Sequence, residues 1–252
     1  MTVTISKTKN IVCAGGSVSL SAVSDVSGAF NGCWYVSAGG AGGTFLQSGV
    51  YTAPEYFNPM KITDVLNVDM LSSHFVPLDS GTTTITIAHP IQIFMDIFKT
   101  VLGLDDDHCV LWNQKVFVPK SDGLYIVGIV SDNKIIGNNV IPNKTYGWSE
   151  AKQYVQVCAS IDVNIISRDT SALFSKEAVV MALMSEYATK QQENCGIKIS
   201  TVPGSLRDVS TGDGAAIPYR YVMPCKLFYQ IKKSVTPEYY DTFQDVAVTT
   251  NA

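Results

Sequence analysis

The chain has 252 residues, of which 46% are hydrophobic and only 16% charged, with a formal net charge of -4. That apolar share excludes a disordered chain, since it supplies enough surface to offset the entropy of ordering. The acidic excess excludes a strongly basic nucleic-acid binder, because no surplus of Lys and Arg exists to displace counterions from phosphates. The apolar runs are shorter than the ~20 residues of a membrane-spanning helix. Met-Thr-Val-Thr-Ile-Ser-Lys at the start lacks the charged and then apolar order of a signal peptide. The expectation is a protein made and used without Sec export.

Residues 1–88 show almost no helical period. Short strand-like pieces recur at 3–5, 17–22, 33–37, 44–46, 62–68 and 82–88, separated by Gly15-Gly16, Asn31-Gly32, the Gly-rich run 39–43, Ser48-Gly49 and Ser80-Gly81. Short strands punctuated by turn formers predict an antiparallel β-sandwich. Within it, Val18, Leu20 and Ala22 alternate with Ser17, Ser19 and Ser21 to give one buried and one wet face.

The pattern changes at His89-Pro90. Pro90 suits a first helical position, where its missing N–H would be unpaired anyway. Ile91, Phe94, Ile97, Phe98, Val101 and Leu102 follow at spacings of three and four up to Gly103. Strands are expected at 109–112, 116–118 and 124–130, then a Gly/Asn/Pro-rich exposed loop or arm at 136–147, and a strongly alternating strand at 155–165. A helix from Ser171 to about Gln192 should turn Leu173, Phe174, Val180, Met181, Met184, Tyr187 and Ala188 inward. Asp169 or Thr170 is its expected N-cap, and Gly196 suits a left-handed cap. A strand at 197–201 and a long one at 219–231 complete the part from 89 to 236. Pro224 removes a ladder donor, so the last strand needs an edge or a bulge there. Helices on a mainly antiparallel sheet make this an expected α+β domain, and 237–252 an extended C-terminal arm.

Six cysteines, Cys13, Cys33, Cys109, Cys158, Cys195 and Cys225, show no C-x-x-C and no histidine at ligand spacing. Free thiols fit them better than disulfides, because Cys158 and Cys225 sit within strand alternation. Asp105-Asp106-Asp107-His108 offers metal donors, but adjacent residues on a turn seldom converge on one ion, and a solvated turn is expected. The Gly-rich run 39–43 has no helix after it, as a phosphate cradle requires. Arg168-Asp169, at a strand-to-helix corner, can pair across subunits or serve as a surface Arg beside a local cap. Arg207-Asp208, in the long polar loop 203–218, is similar. No cofactor, metal or catalytic residue set is expected. Paired carboxylates or a nucleophile elbow, which an enzyme carrying a carbohydrate-binding sandwich would show, are not found.

Two stretches resemble known families. Trp34-Tyr35-Val36 followed by Gly42-Gly43-Thr44 and Gly49-Val50-Tyr51-Thr52-Ala53-Pro54 resembles bacterial and phage immunoglobulin-like repeats. The resemblance implies an immunoglobulin-like sandwich over 1–88 with Trp34 as its plug. From 89 to 243, the helix at Pro90, Val110-Leu-Trp-Asn-Gln114, Gly123-Leu-Tyr-Ile-Val-Gly128, Arg168-Asp169-Thr170 and Tyr219-Arg220-Tyr-Val-Met223 resemble neck or tail terminator proteins of contractile-tailed bacteriophages. That implies a non-enzymatic virion protein, assembled in the host cytoplasm as a ring, usually a hexamer. The ring would join the head connector and collar proteins to the tail tube or sheath, with genomic DNA passing through it without sequence-specific binding. Arg168, Asp169, Arg207, Asp208, Val246 and Val248 are the expected subunit-interface residues. The alternative is an immunoglobulin-like surface, adhesion or tail decoration protein.

Overall fold

Alternating apolar and polar residues dominate the chain, and the computed structural model turns most of them into strands. It describes residues 3–25, 31–37, 44–46, 49–55, 63–71, 77–113, 119–145, 148–200, 206–210 and 219–235. The front holds β1 (Val3–Lys7), β2 (Ile11–Cys13), β3 (Ser17–Ser24), β4 (Asn31–Ser37), β5 (Thr44–Leu46), β6 (Val50–Thr52), β7 (Thr63–Leu71) and β8 (Pro77–Ala88). They form a three-stranded sheet, β1-β3-β6, and a five-stranded sheet, β2-β8-β7-β4-β5. On β3, Val18 and Leu20 are buried while Ser17 and Ser19 are exposed, as the two-residue period of a half-buried strand requires. Val3, Val18, Leu20 and Tyr51 of the first sheet share one core with Val12, Leu66, Val68, Ile85 and Ile87 of the second. Trp34 lies on β4 opposite Leu46 and Val68; its side chain, the expected plug, falls outside the described ones.

The two sheets come into close contact where Gly81 of β8 meets Val3 of β1. A Cβ built on Gly81 would stand 2.7 Å from the Val3 carbonyl oxygen and 2.9 Å from Val3 Cβ. Backbone on one side cannot swing away as a long side chain would. Gly81→Ala should therefore push β1 outward and lower stability by about 1–3 kcal/mol. Urea unfolding measures this, and an unchanged midpoint would show that β1 is not seated against β8.

The helix α1 (Pro90–Leu102) follows with a complete set of end signals. His89 Nδ1 accepts from the Ile91 amide at 3.2 Å, and Gln92 Oε1 accepts from the His89 amide at 2.8 Å. This reciprocal pair satisfies amides that the first turn leaves unbonded. Gly103 ends the helix at φ 65°, a left-handed conformation. Ile91, Ile93, Phe94, Met95, Ile97 and Phe98 form its buried side.

The remaining elements are β9 (Cys109–Leu111), β10 (Tyr125–Thr145), β11 (Trp148–Ser167), α2 (Ser171–Leu183), α3 (Glu186–Cys195), β12 (Lys198–Ile199), β13 (Arg207–Asp208) and β14 (Tyr219–Val235). They build a six-stranded sheet in the order β12-β14-β11-β10-β9, with β13 also on β14. β9 runs parallel to β10, and the other pairs are antiparallel. Val157, Ala159, Ile161, Val163 and Ile165 of β11 join Tyr221, Met223, Cys225, Leu227 and Tyr229 of β14 in one core with the inward residues of the helices. Cys13 and Ala88 belong to this second core too, so front and back share packed surface. On β14, no described strand meets Pro224 from the outer side, between the Val222 pairing with β13 and the Leu227 pairing with β12.

These features correct the expected fold class, an immunoglobulin-like sandwich followed by an α+β domain. Among the described residues the chain is mostly β, in three sheets with three helices. Two departures account for it. The expected loop or arm at 136–147 lies, as far as Thr145, within β10, whose 21 residues pair with the 20 of β11. The expected helix from Ser171 to Gln192 is two shorter ones, broken at Met184-Ser185, where Ser185 Oγ accepts from the Ala188 amide at 3.1 Å and starts α3. The helices thus cover only part of a sheet that runs well past them.

Candidate assembly surfaces

Arg168 and Asp169 follow β11 at the sheet end where β14 begins, since Ser167 stands opposite Tyr219. Asp169 works locally. Its Oδ1 accepts from the Ser171 amide at 3.0 Å, and the Ser171 hydroxyl and amide hold its carboxyl below the usual carboxylate range. Ser167, fully buried, does the deeper capping: its Oγ donates to the Asp169 carbonyl at 2.5 Å and accepts from the Ala172 amide at 2.9 Å. Arg207 and Asp208 form β13 opposite Val222 and Tyr221, at the same sheet end as Arg168. Asp208 Oδ1 accepts from the Ser210 amide at 2.9 Å, and Ser210 lowers the pKa of that carboxyl. The four residues thus share one end of the six-stranded sheet, all exposed. Val246 and Val248, with the whole segment 237–252, lie outside the described residues, as does the strand expected at 116–118.

The acidic turn after α1 closes on itself. Asp105 Oδ1 accepts from the His108 amide at 2.9 Å and meets His108 Nδ1 at 2.6 Å, while Asp106 pairs with Lys99. Among the described residues, no group of three or more His, Cys, Asp or Glu could hold a metal ion.

Two apolar surfaces stand open instead; the helical one was not anticipated, and the other falls on the stretch expected to be an exposed loop or arm. The first is the outer side of α2. Ala172, Val179, Ala182 and Leu183 are buried, whereas Phe174, Met181 and Met184 are 76%, 68% and 61% exposed. With exposed Ala178, their spacing of three and four residues sets them on one stripe. Phe174, Met181 and Met184 were expected inside. The sequence signal was available: Leu173, Phe174, Ala178, Val179, Val180 and Met181 surround the helix with apolar groups, and a helix apolar all round is covered on all sides. Here the second side stays exposed.

The second surface is the arm made by the far part of the β10–β11 hairpin. β9 reaches only Ile126, Val127 and Gly128 on β10, so no described strand pairs with the outer edge of β10 beyond Gly128. Along that edge, Ile135 is 67% and Val140 51% exposed, with Val130, Ile136 and Ile141 also open. Register shifts fall between Val130 and Asp132 and between Ile135 and Gly137. Bulges of this kind, with Asp132 and Lys134 between them, discourage indiscriminate pairing of an open edge. No protein-family model matches the chain, and no curated protein matches it.

Proposed function

We propose that this chain is a structural protein that assembles with copies of itself into a ring at the neck of a tailed bacteriophage. The observation that carries the ring is the presence of two unlike apolar surfaces on one chain. Phe174, Met181 and Met184 form a short convex stripe on a helix, and Ile135, Ile136, Val140 and Ile141 line an open strand edge. Unlike surfaces mate head to tail, and a head-to-tail contact closes into a ring when its rotation permits. Aromatic, Met and aliphatic groups of this exposure are typical of the buried centre of a subunit contact.

The neck position is supported by the strings that resemble phage terminator proteins: the helix at Pro90, Val110-Leu-Trp-Asn-Gln114, Gly123-Leu-Tyr-Ile-Val-Gly128 and Tyr219-Arg220-Tyr-Val-Met223. On this reading the ring is a hexamer. It holds connector and collar proteins on one side and tail tube or sheath on the other, with DNA passing through the lumen. Contacts, and not bond-making chemistry, do its work.

Sedimentation velocity of the full chain tests the ring. Phe174→Asp with Met181→Lys should weaken self-association about 30-fold or more, and so should Ile135→Asp with Val140→Asp, as expected for central contact residues. Mixing the two double variants should restore one contact per pair and give dimers. Rings that survive either change would sink the arm-to-helix contact. A monomeric natural chain would favour the decoration reading instead.

A further inference from the structure

The front sheets meet the helices at Cys13, the last residue of β2. Cys13 Sγ donates to the Asn194 carbonyl oxygen at 3.3 Å, next to Cys195 at the end of α3. Cavities of about 440 Å³ and about 350 Å³ adjoin this contact, and Cys13 and Cys195 line both. Lys9 and Lys99 place two cations in the wall of the larger one, against one carboxylate, Asp96.

Cys195 lines both cavities beside Cys13, and its own Sγ lies 3.8 Å from Gln191 Oε1. The Cys195 side chain, and after it Lys9, draw the Cys13 pKa from 9.0 down to about 7, and the same pairing drives that of Cys195 upward. Burial does the opposite to Cys109 and Cys225, each pushed up to about 12. One described thiol is thus poised as a nucleophile, with a second beside it to resolve the product.

We propose that Cys13 and Cys195 form a dithiol site for a small anionic disulfide of the oxidised-glutathione class, which converts them into a disulfide joining the front sheets to α3. The Cys13 thiolate attacks one sulfur of the small disulfide, forming a mixed disulfide and expelling a thiolate. Cys195 then gives up its proton and attacks the Cys13 sulfur, expelling the second thiolate. Two protein thiols lose two electrons, the small disulfide gains them, and the two released protons are taken up by the expelled thiolates. The step is independent of the ring and reversible by excess thiol.

The test is incubation of the full chain with oxidised glutathione near neutral pH, followed by peptide mapping without reductant. The expected product is a cross-link between Cys13 and Cys195, a mass lower by two hydrogens, and a melting temperature raised by roughly 5–10 °C that dithiothreitol reverses. Cys195→Ser should stop at glutathione held on Cys13, and Cys13→Ser should leave Cys195 unmodified. Both variants should melt with the reduced natural chain, which separates lost chemistry from lost fold. Absence of the Cys13–Cys195 peptide, or a cross-link through other cysteines, overturns the proposal. Glutathione settling first on Cys195 overturns the assignment of the nucleophile.

Discussion

Phe98→Ala should lower the unfolding free energy by about 3–5 kcal/mol, the largest loss expected from one truncation in this chain. Phe98 is fully buried on the inward side of α1. Its ring meets Phe94 edge to face, with centroids 5.2 Å apart and planes at 89°, an arrangement that contributes beyond area alone. Removing it leaves a void that neither α1 nor the sheet beneath can close, because capped ends hold the helix in place. Val101→Ala is the control. Val101 is on the same helix but 37% exposed, and a surface change of this kind should fall within about 0.5 kcal/mol. Guanidinium unfolding of both variants decides the matter. Equal costs would mean that the inward side of α1 has been assigned to the wrong residues.

Tyr51→Phe should cost about 3 kcal/mol through the loss of one hydroxyl. Tyr51 on β6 donates its phenolic hydrogen to Asp64 Oδ2 on β7, so the bond ties the three-stranded sheet to the five-stranded one. Both residues are buried. Phenylalanine would fill the same space and leave the carboxylate without that donor, and an unsatisfied buried charged group is costly. Burial, and after it the Asp64 carboxylate, push the Tyr51 pKa well above its ordinary value of 10.0. A raised pKa means the folded chain holds the proton more tightly than the unfolded one. The contribution is therefore complete below pH 10 and is lost as the pH climbs further, where the unfolded chain ionises first. The stability gap between the natural chain and Tyr51→Phe should narrow above pH 10. A gap that stays constant into alkali would mean that the phenol is not bonded to Asp64.

Legibility of the fold varied with how much each segment decides for itself. α1 was readable end to end, because Pro90, the apolar spacing and Gly103 are local signals and the helix spans Pro90–Leu102. The inner part of β11 was readable from alternation, whereas its outer part and its partner were not. Gly137, Asn138, Asn139, Pro142 and Asn143 all have weak strand propensity, yet β10 continues through them because β11 supplies a full ladder on one side. Gly137 sits at a register shift there. Helix α2 failed in a different way. Its sequence has apolar groups on every side, so periodicity could not say which would face the sheet, and Phe174, Met181 and Met184 were assigned inward. The helical surface was missed for the same reason, whereas the edge of β10 was expected to be exposed but not to be a strand. Exposed apolar groups look like core until the chain has folded and left them over.

β11 is paired along most of its length by β10 on one side and β14 on the other. The first partner is its immediate neighbour in the chain, and the second begins only at Tyr219. During synthesis the hairpin can therefore zip as soon as it leaves the ribosome, while the second edge of β11 waits for about fifty more residues to be translated, a delay of seconds at ordinary elongation rates. Through that interval the apolar face of β11 lacks Tyr221, Met223, Cys225, Leu227 and Tyr229, which complete its core. The nascent chain passes through a stage with an unzipped edge and an uncovered apolar face until β14 arrives, the kind of stage in which chains are most prone to associate wrongly.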